Sequence, residues 1–381
     1  MGTRARAAAR RVPAAVAAAA LALGLAGSGT ARAALAETDY AEVNAAIVEG
    51  HVLPRMAAFE RSAARLDAAM AAFCAGTGPG AEIRALLRRY HETMDAWMAV
   101  RHLNFGPAEE FMRASRIQFA PDPEGRVPAA VARLLTERGG AAFEAEAFTR
   151  ESVAAQGLPA LEHVLFGDDG RPAFTPGFPD PARCRLGRAI ARNIMDMAEG
   201  MAADWQRSGG FAHSLTHPGE SNSYFATHKD AAIALFRSLH GGFDVLVALK
   251  IEPPLGKSAA AARPDLVESR LSGRGIANIV LDLEALSALY RGESGKPGLA
   301  RLLERSDKDP ELAPLMRRAF AQTLATARTI APTLTRAVVD PAGRPRVEKL
   351  HLQLRALRQI IAERLAPALG IAAGFNALDG D

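Results

Sequence analysis

Glu162 stands in Gly157-Leu158-Pro159-Ala160-Leu161-Glu162-His163-Val164-Leu165-Phe166-Gly167, one carboxylate among residues otherwise suited to a buried helix. An unpartnered carboxylate is expensive there. It must meet a cation, a metal or several donors, or else reach solvent from beside the apolar stripe. Trp97 and Arg101, at i and i+4, share one helix face. Arg101 offers a rigid guanidinium fork to Glu162 or to an acidic ligand; the plainer alternative is a packed indole and a snorkelling arginine. Arg270, Ser272 and Arg274 cluster before Ile276. A helix N-terminus flanked by two arginines can hold an anion, or Ser272 simply caps that helix.

Other spacings carry less. His213 and His217 have metal-ligand spacing if helical, but Gly209-Gly210 before them and Pro218-Gly219 after them predict a flexible loop. His91-Glu92 lacks the second histidine of His-Glu-x-x-His, since that position is Asp95. His228 and Asp230 fall at an expected helix start, where capping explains them. Pro253-Pro254-Leu255-Gly256-Lys257 lacks phosphate-loop spacing. No Ser/His/Asp or Cys/His nucleophile set is evident, so no residue is assigned a catalytic role.

The elements that must position these groups read as helices. Pro159 suits a first helical turn, Leu158, Leu161, Leu165 and Phe166 follow at helical spacing, and Gly167 ends the element. Val347, Leu350, Leu354, Leu357, Ile361 and Leu365 form a bundle-facing stripe, as do Ile276, Ile279, Val280, Leu283, Leu286 and Leu289. Helices are expected over 38–74, 80–102, 126–138, 152–166, 181–207, 222–249, 275–291, 308–338 and 345–366. Strand alternation is absent. Loops are expected at 120–125, 167–181, 208–221 and 253–264, and the Gly/Pro-rich stretch 167–181 is the best internal boundary. The expected fold is all-α, with helical bundles over 34–170 and 171–381.

Residues 1–33 read as a secretory signal peptide. Arg4, Arg6, Arg10 and Arg11 make a basic start, Ala14 to Leu25 an apolar core, and Ala31-Arg32-Ala33 a cleavage signal. Arg10-Arg11 lacks the flanks of a twin-arginine signal, so general secretion is expected, and no cysteine follows to carry a lipid anchor. No later segment reads as a membrane span, so the expected mature protein is exported and soluble. The signal also explains a pI of 9.3. Without its five arginines (4, 6, 10, 11 and 32), 41 basic residues face 42 acidic ones, a formal charge of −1. Nothing calls for nucleic acid. Cys74 and Cys184 can pair in an oxidising compartment or remain two buried thiols, and the sequence gives no distance to choose between them.

The segment from Gly157 to Gly167 resembles the central motif of the imelysin family, cell-envelope proteins whose usual pattern is Gly-x-His-x-x-Glu followed by an apolar run ending in Gly. Trp97-Met98-Ala99-Val100-Arg101 resembles the family's Trp-x-x-x-Arg element. Glu252 to Ser258 and Glu268-Ser269-Arg270-Leu271-Ser272-Gly273-Arg274 resemble its middle region, and Leu369 to Asp381 its C-terminus. The resemblance implies two helical bundles around a central cleft, a periplasmic location and a link to iron uptake. It nominates Glu162, Arg101, Trp97, Arg270 and Ser272 as ligand-binding residues, and Glu162 as a ligand for a divalent metal such as iron or zinc. The chain departs at one point: the family's histidine is Pro159 here. His163 is no substitute, because adjacent helical positions diverge by about 100°. The expectation is therefore a non-proteolytic metal- or ligand-binding accessory of iron uptake. The alternatives are a metallopeptidase whose diverged site draws His91, His102 or His228 to Glu162, and an envelope module that binds another protein.

Overall fold

The structure is a computed structural model. It describes residues 34–371 apart from 77–80, 138–142, 144, 175–179, 207 and 307. The expected signal peptide and the end of the C-terminal motif, 372–381, lie outside the described residues.

Among the described residues seventeen α-helical segments run in order: α1 Glu37–Ile47, α2 Leu53–Ala75, α3 Ala81–Met98, α4 Arg113–Ile117, α5 Arg126–Glu137, α6 Ala145–Phe148, α7 Leu158–Leu165, α8 Pro181–Gln206, α9 Phe211–Thr216, α10 His228–Asp244, α11 Glu252–Leu255, α12 Gly275–Arg291, α13 Ala300–Ser306, α14 Leu312–Arg328, α15 Leu334–Ala337, α16 Arg344–Ile360 and α17 Ala366–Ala368. Among the described residues three π-helical stretches, Val48–Val52, Val245–Ile251 and Ile361–Leu365, join α1 to α2, α10 to α11 and α16 to α17. A two-residue hairpin after α12, β1 Gly292–Glu293 with β2 Lys296–Pro297, is the only paired sheet among the described residues. The fold is all-α.

Two helix groups build the core. In the first, α2 packs along α3 and α8, and α7 packs on α8 and α5. Gly187 on α8 sets the closeness of one crossing, since a Cβ there would lie 2.3 Å from the Met70 methyl of α2. In the second, α14 packs between α12 and α16, and α10 packs on α1, α12 and α16. The described residues all fall within one compact unit. Helix α8 packs with the first group, and α1 lies against α10. Cys74 and Cys184 form a disulfide spanning 110 residues, with Cα atoms 5.6 Å apart, which stitches α2 to α8. A loop of that length is worth roughly 4–5 kcal/mol in the chain-entropy account.

The helix periodicity placed most elements to within a few residues, with three differences. The expected helix 308–338 breaks between α14 and α15, around Pro332, whose missing N–H cannot continue the ladder. Gly209–Pro218 is not a loop: it contains α9, and the His213 and His217 rings stack with centroids 4.2 Å apart. His228–Leu255 is apolar and long enough to cross a membrane by length and composition, which the sequence reading did not register. Half of its apolar window is buried inside the fold, and its Lys250 is buried among ion pairs.

Candidate functional site

Helix α7 brings Glu162 to the site, and its N-terminal glycine is required by packing. Gly157 lies against the carbonyl oxygens of Arg116 and Ile117, where a Cβ would come within 2.2–2.3 Å of both. Pro159 follows in the first turn, as expected. Leu158, Ala160, Leu161, Val164 and Leu165 are buried, and Glu162 is only 5% exposed among them. Its Oε1 accepts two hydrogen bonds from one residue 110 positions away, from the Ser272 N–H at 2.8 Å and the Ser272 hydroxyl at 2.5 Å. Ser272 therefore serves Glu162 and does not cap α12, whose N-cap is Arg274 with no side-chain cap. Burial raises the Glu162 carboxyl to about 7, and the Ser272 bonds only partly counter it. The buried Tyr90 hydroxyl on α3 is pushed up by the same burial and by the nearby Glu162 charge.

A cavity of about 350 Å³ opens against this carboxylate. It is lined by residues 118–123 and 125 of the segment after α4, Val127 and Pro128 at the start of α5, Pro159 and His163 on α7, Val245, Leu249, Lys250 and Pro253, and residues 265–271. Arg101, Glu162 and Arg270 all line it. Ser272 supports Glu162 from behind. Trp97 does not line it: the indole is core, 5.2 Å from the Phe59 ring, and its N–H has no partner.

Arg101 does not reach for Glu162. Its guanidinium donates to Glu268 Oε1 at 2.9 Å, and Gln118 donates to the same oxygen at 3.1 Å. Lys250 Nζ lies 2.7 Å from Glu268 Oε2 and 2.6 Å from Asp282 Oδ2, and Asn278 donates to Glu268 Oε2 at 3.3 Å. Burial alone would raise Glu268, but Lys250 and Arg101 outweigh it and hold the carboxyl at about 2. Burial pushes the Asp282 carboxyl up against the pull of the same two cations. Next to this cluster, Arg274 pairs with Asp95 and approaches His91 Nδ1 at 3.3 Å.

The sequence reading missed Lys250, Glu268 and Asp282. A signal existed for two of them. Lys250 sits in the apolar run Val245–Ile251 and Asp282 within the stripe from Ile279 to Leu289, the same anomaly that singled out Glu162. A second buried polar chain also went unread. His51 Nε2 and His102 Nε2 are 2.8 Å apart, and His51 Nδ1 meets Glu293 Oε1 at 2.5 Å. Glu293 is in turn bound by Arg55 at 2.8 and 3.0 Å.

The donor set does not fit a resident metal ion at Glu162. Position 159 is proline, and Oε1 is taken by two donors. Among the described residues no group of three or more His, Cys, Asp or Glu side chains is gathered to hold an ion. Of the histidines proposed to converge on Glu162, His91 is engaged by Arg274 and His102 by His51, while His228 stands at the start of α10 with its ring Nδ1 buried and without a partner among the described residues. The Ser272 hydroxyl contacts Glu162 and the Ser269 carbonyl, with no histidine to activate it.

Two solved structures share this architecture. One is an imelysin-like protein from Psychrobacter arcticum 273-4, with a TM-score of 0.74 and 23% identity over 90% of this chain and 98% of that one. The other is a "putative iron-regulated protein A precursor" from Parabacteroides distasonis ATCC 8503, with a TM-score of 0.71 and 15% identity over 87% and 96%. No curated protein sequence matches the chain. The family profile for imelysin, peptidase family M75, matches residues 52–361, which include α7, the Glu162 pocket and the Lys250 cluster. The chain belongs to the imelysin family.

Proposed function

We propose that this protein is an exported, periplasmic, non-proteolytic binding protein of the cell envelope that serves iron uptake, with the Glu162 pocket as its ligand site. Glu162 and Arg270 contact the ligand, Arg101 fixes the cavity lining through Glu268, and Ser272 orients Glu162. The observation that carries the reading is a cavity of about 350 Å³ lined by apolar and charged groups, where the described residues gather no convergent set of metal ligands and no nucleophile with its base. Export is supported by the arginine-rich, apolar N-terminal segment and by the similar fold of a protein described as a precursor. The iron connection draws on that protein being described as iron-regulated.

The test is to purify the mature protein from the periplasm without chelators. Bound small molecules are read by native mass spectrometry, bound metals by elemental analysis, and cleavage by incubation with denatured casein. A retained small molecule, lost in Arg270→Ala, is expected. Stoichiometric metal that disappears in Glu162→Ala would make Glu162 an ion ligand. Casein cleavage abolished by Glu162→Gln would replace the binding reading with a peptidase.

A further inference from the structure

The charges around the pocket leave one cation over. Arg101 and Lys250 are taken up by Glu268 and Asp282. Asp122 accepts from the backbone N–H groups of Arg126 and Val127 at 2.8 Å each, where α5 begins. Asp265 is paired with Arg263 at 2.7 Å. The side chain of Arg270, an exposed residue, makes no hydrogen bond or ion pair to a described residue, yet it lines the cavity and acts electrostatically on Glu162, His163 and Asp265. His163 beside it is held toward the neutral form by burial and by Arg270.

The two oxygens of Glu162 are not equivalent. Both Ser272 donors aim at Oε1, and no described residue bonds Oε2. An oxygen that accepts an N–H and an O–H is the carbonyl-like one, so a proton on this carboxyl group resides on Oε2. The groups facing it from neighbouring elements are Tyr90 on α3, and Glu268 and Arg270 on the segment between α11 and α12. Apolar side chains complete the cavity, among them Phe119, Pro128, Leu249 and Leu266.

Resting on the reading of this pocket as a ligand site, we propose that its ligand is a small organic carboxylate. The anionic head lies between the Arg270 guanidinium and the Oε2–H of Glu162, and the apolar body lies against Phe119, Pro128, Leu249 and Leu266. A lone cation and a neutral acid suit an anion that can accept from both. A bare metal ion would meet the repulsion of Arg270 and a carboxyl group that must first lose its proton. Binding therefore weakens as Glu162 ionises, because the donor becomes a second negative charge facing the ligand.

The experiment is titration calorimetry of the mature protein with octanoate, benzoate and 3-phenylpropionate, with 3-phenylpropionamide as the neutral control and zinc chloride as the competing ion. It is run at about pH 6 and about pH 9, where these acids stay ionised. At least one carboxylate is expected to bind at the lower pH and to weaken about tenfold or more at the higher, with the amide about tenfold weaker than its acid. Arg270→Ala should lose about tenfold at both pH values, and Glu162→Gln should retain the lower-pH affinity while abolishing the pH dependence. Equal binding of amide and acid, an unaffected Arg270→Ala, or pH dependence that survives Glu162→Gln would overturn the proposal. Zinc bound stoichiometrically through Glu162, with all three carboxylates silent, would overturn it while keeping the pocket as a ligand site. Failure of carboxylates and zinc alike, with no copurifying small molecule, would remove the ligand-site reading as well.

Discussion

Replacing Glu162 with glutamine isolates what burial of this carboxyl group costs. Glutamine keeps the shape, its carbonyl oxygen can accept both Ser272 donors, and its amide stands where the Oε2 proton does. In the folded protein the Glu162 carboxyl is raised from 4.5 to about 7. The folded state therefore holds the proton more tightly than the unfolded chain. The stability contributed by this group is fully present below about pH 4.5 and is lost as pH rises through about 7. The shift corresponds to roughly 3 kcal/mol, of which about 2–3 kcal/mol falls between pH 5 and pH 8. Urea unfolding of both proteins across that range reads the effect directly, and the difference between them cancels every other titrating group. Wild type should lose about 2–3 kcal/mol relative to Glu162→Gln on going from pH 5 to pH 8. A difference independent of pH, or one that moves in wild type's favour as pH rises, would show that Glu162 is ionised in the folded protein and that the site has been misread.

Removing Lys250 as Lys250→Met should destabilise the protein by about 3–5 kcal/mol in denaturant unfolding, because Glu268 and Asp282 are left buried without their shared ammonium. Adding Asp282→Leu to that variant should recover part of the loss, and no recovery would break the proposed coupling. Cys74→Ser with Cys184→Ser should cost about 4 kcal/mol, and reductant should lower wild-type stability but not that of the double variant. The buried pair His51 and His102 is held below the usual histidine range, chiefly by burial. The unfolded chain binds these protons first, so stability should fall as pH drops below about 6.5, with a shallower fall in His102→Asn; an unchanged slope would exclude His102 as the cause. Gly157→Ala should cost about 1–3 kcal/mol, read as a lowered Tm, because its methyl group meets the Arg116 and Ile117 carbonyls.

The apolar spacing was enough to place most helices and the all-α class, since a 3.6-residue period is a local property of the chain. The anomaly of Glu162 was equally legible, because a carboxylate among leucines is costly whatever surrounds it. The sequence alone also fixed the absence of a histidine three residues before it, where Pro159 has no side chain to bind an ion. What only the tertiary structure decided is which groups neutralise one another. Arg101 pairs with Glu268, 167 residues away, and Glu162 with Ser272, 110 residues away. Helical spacing holds no record of such distances, and the expected Arg101–Glu162 and Ser272 capping contacts gave way to these. The π-helical stretches at Val48–Val52 and Val245–Ile251 conceal more, because i→i+5 bonding shifts the face on which His51 and Lys250 emerge. Whether two cysteines 110 residues apart meet is likewise a matter of how α2 lies on α8, and close packing of helices distant in the chain settles it.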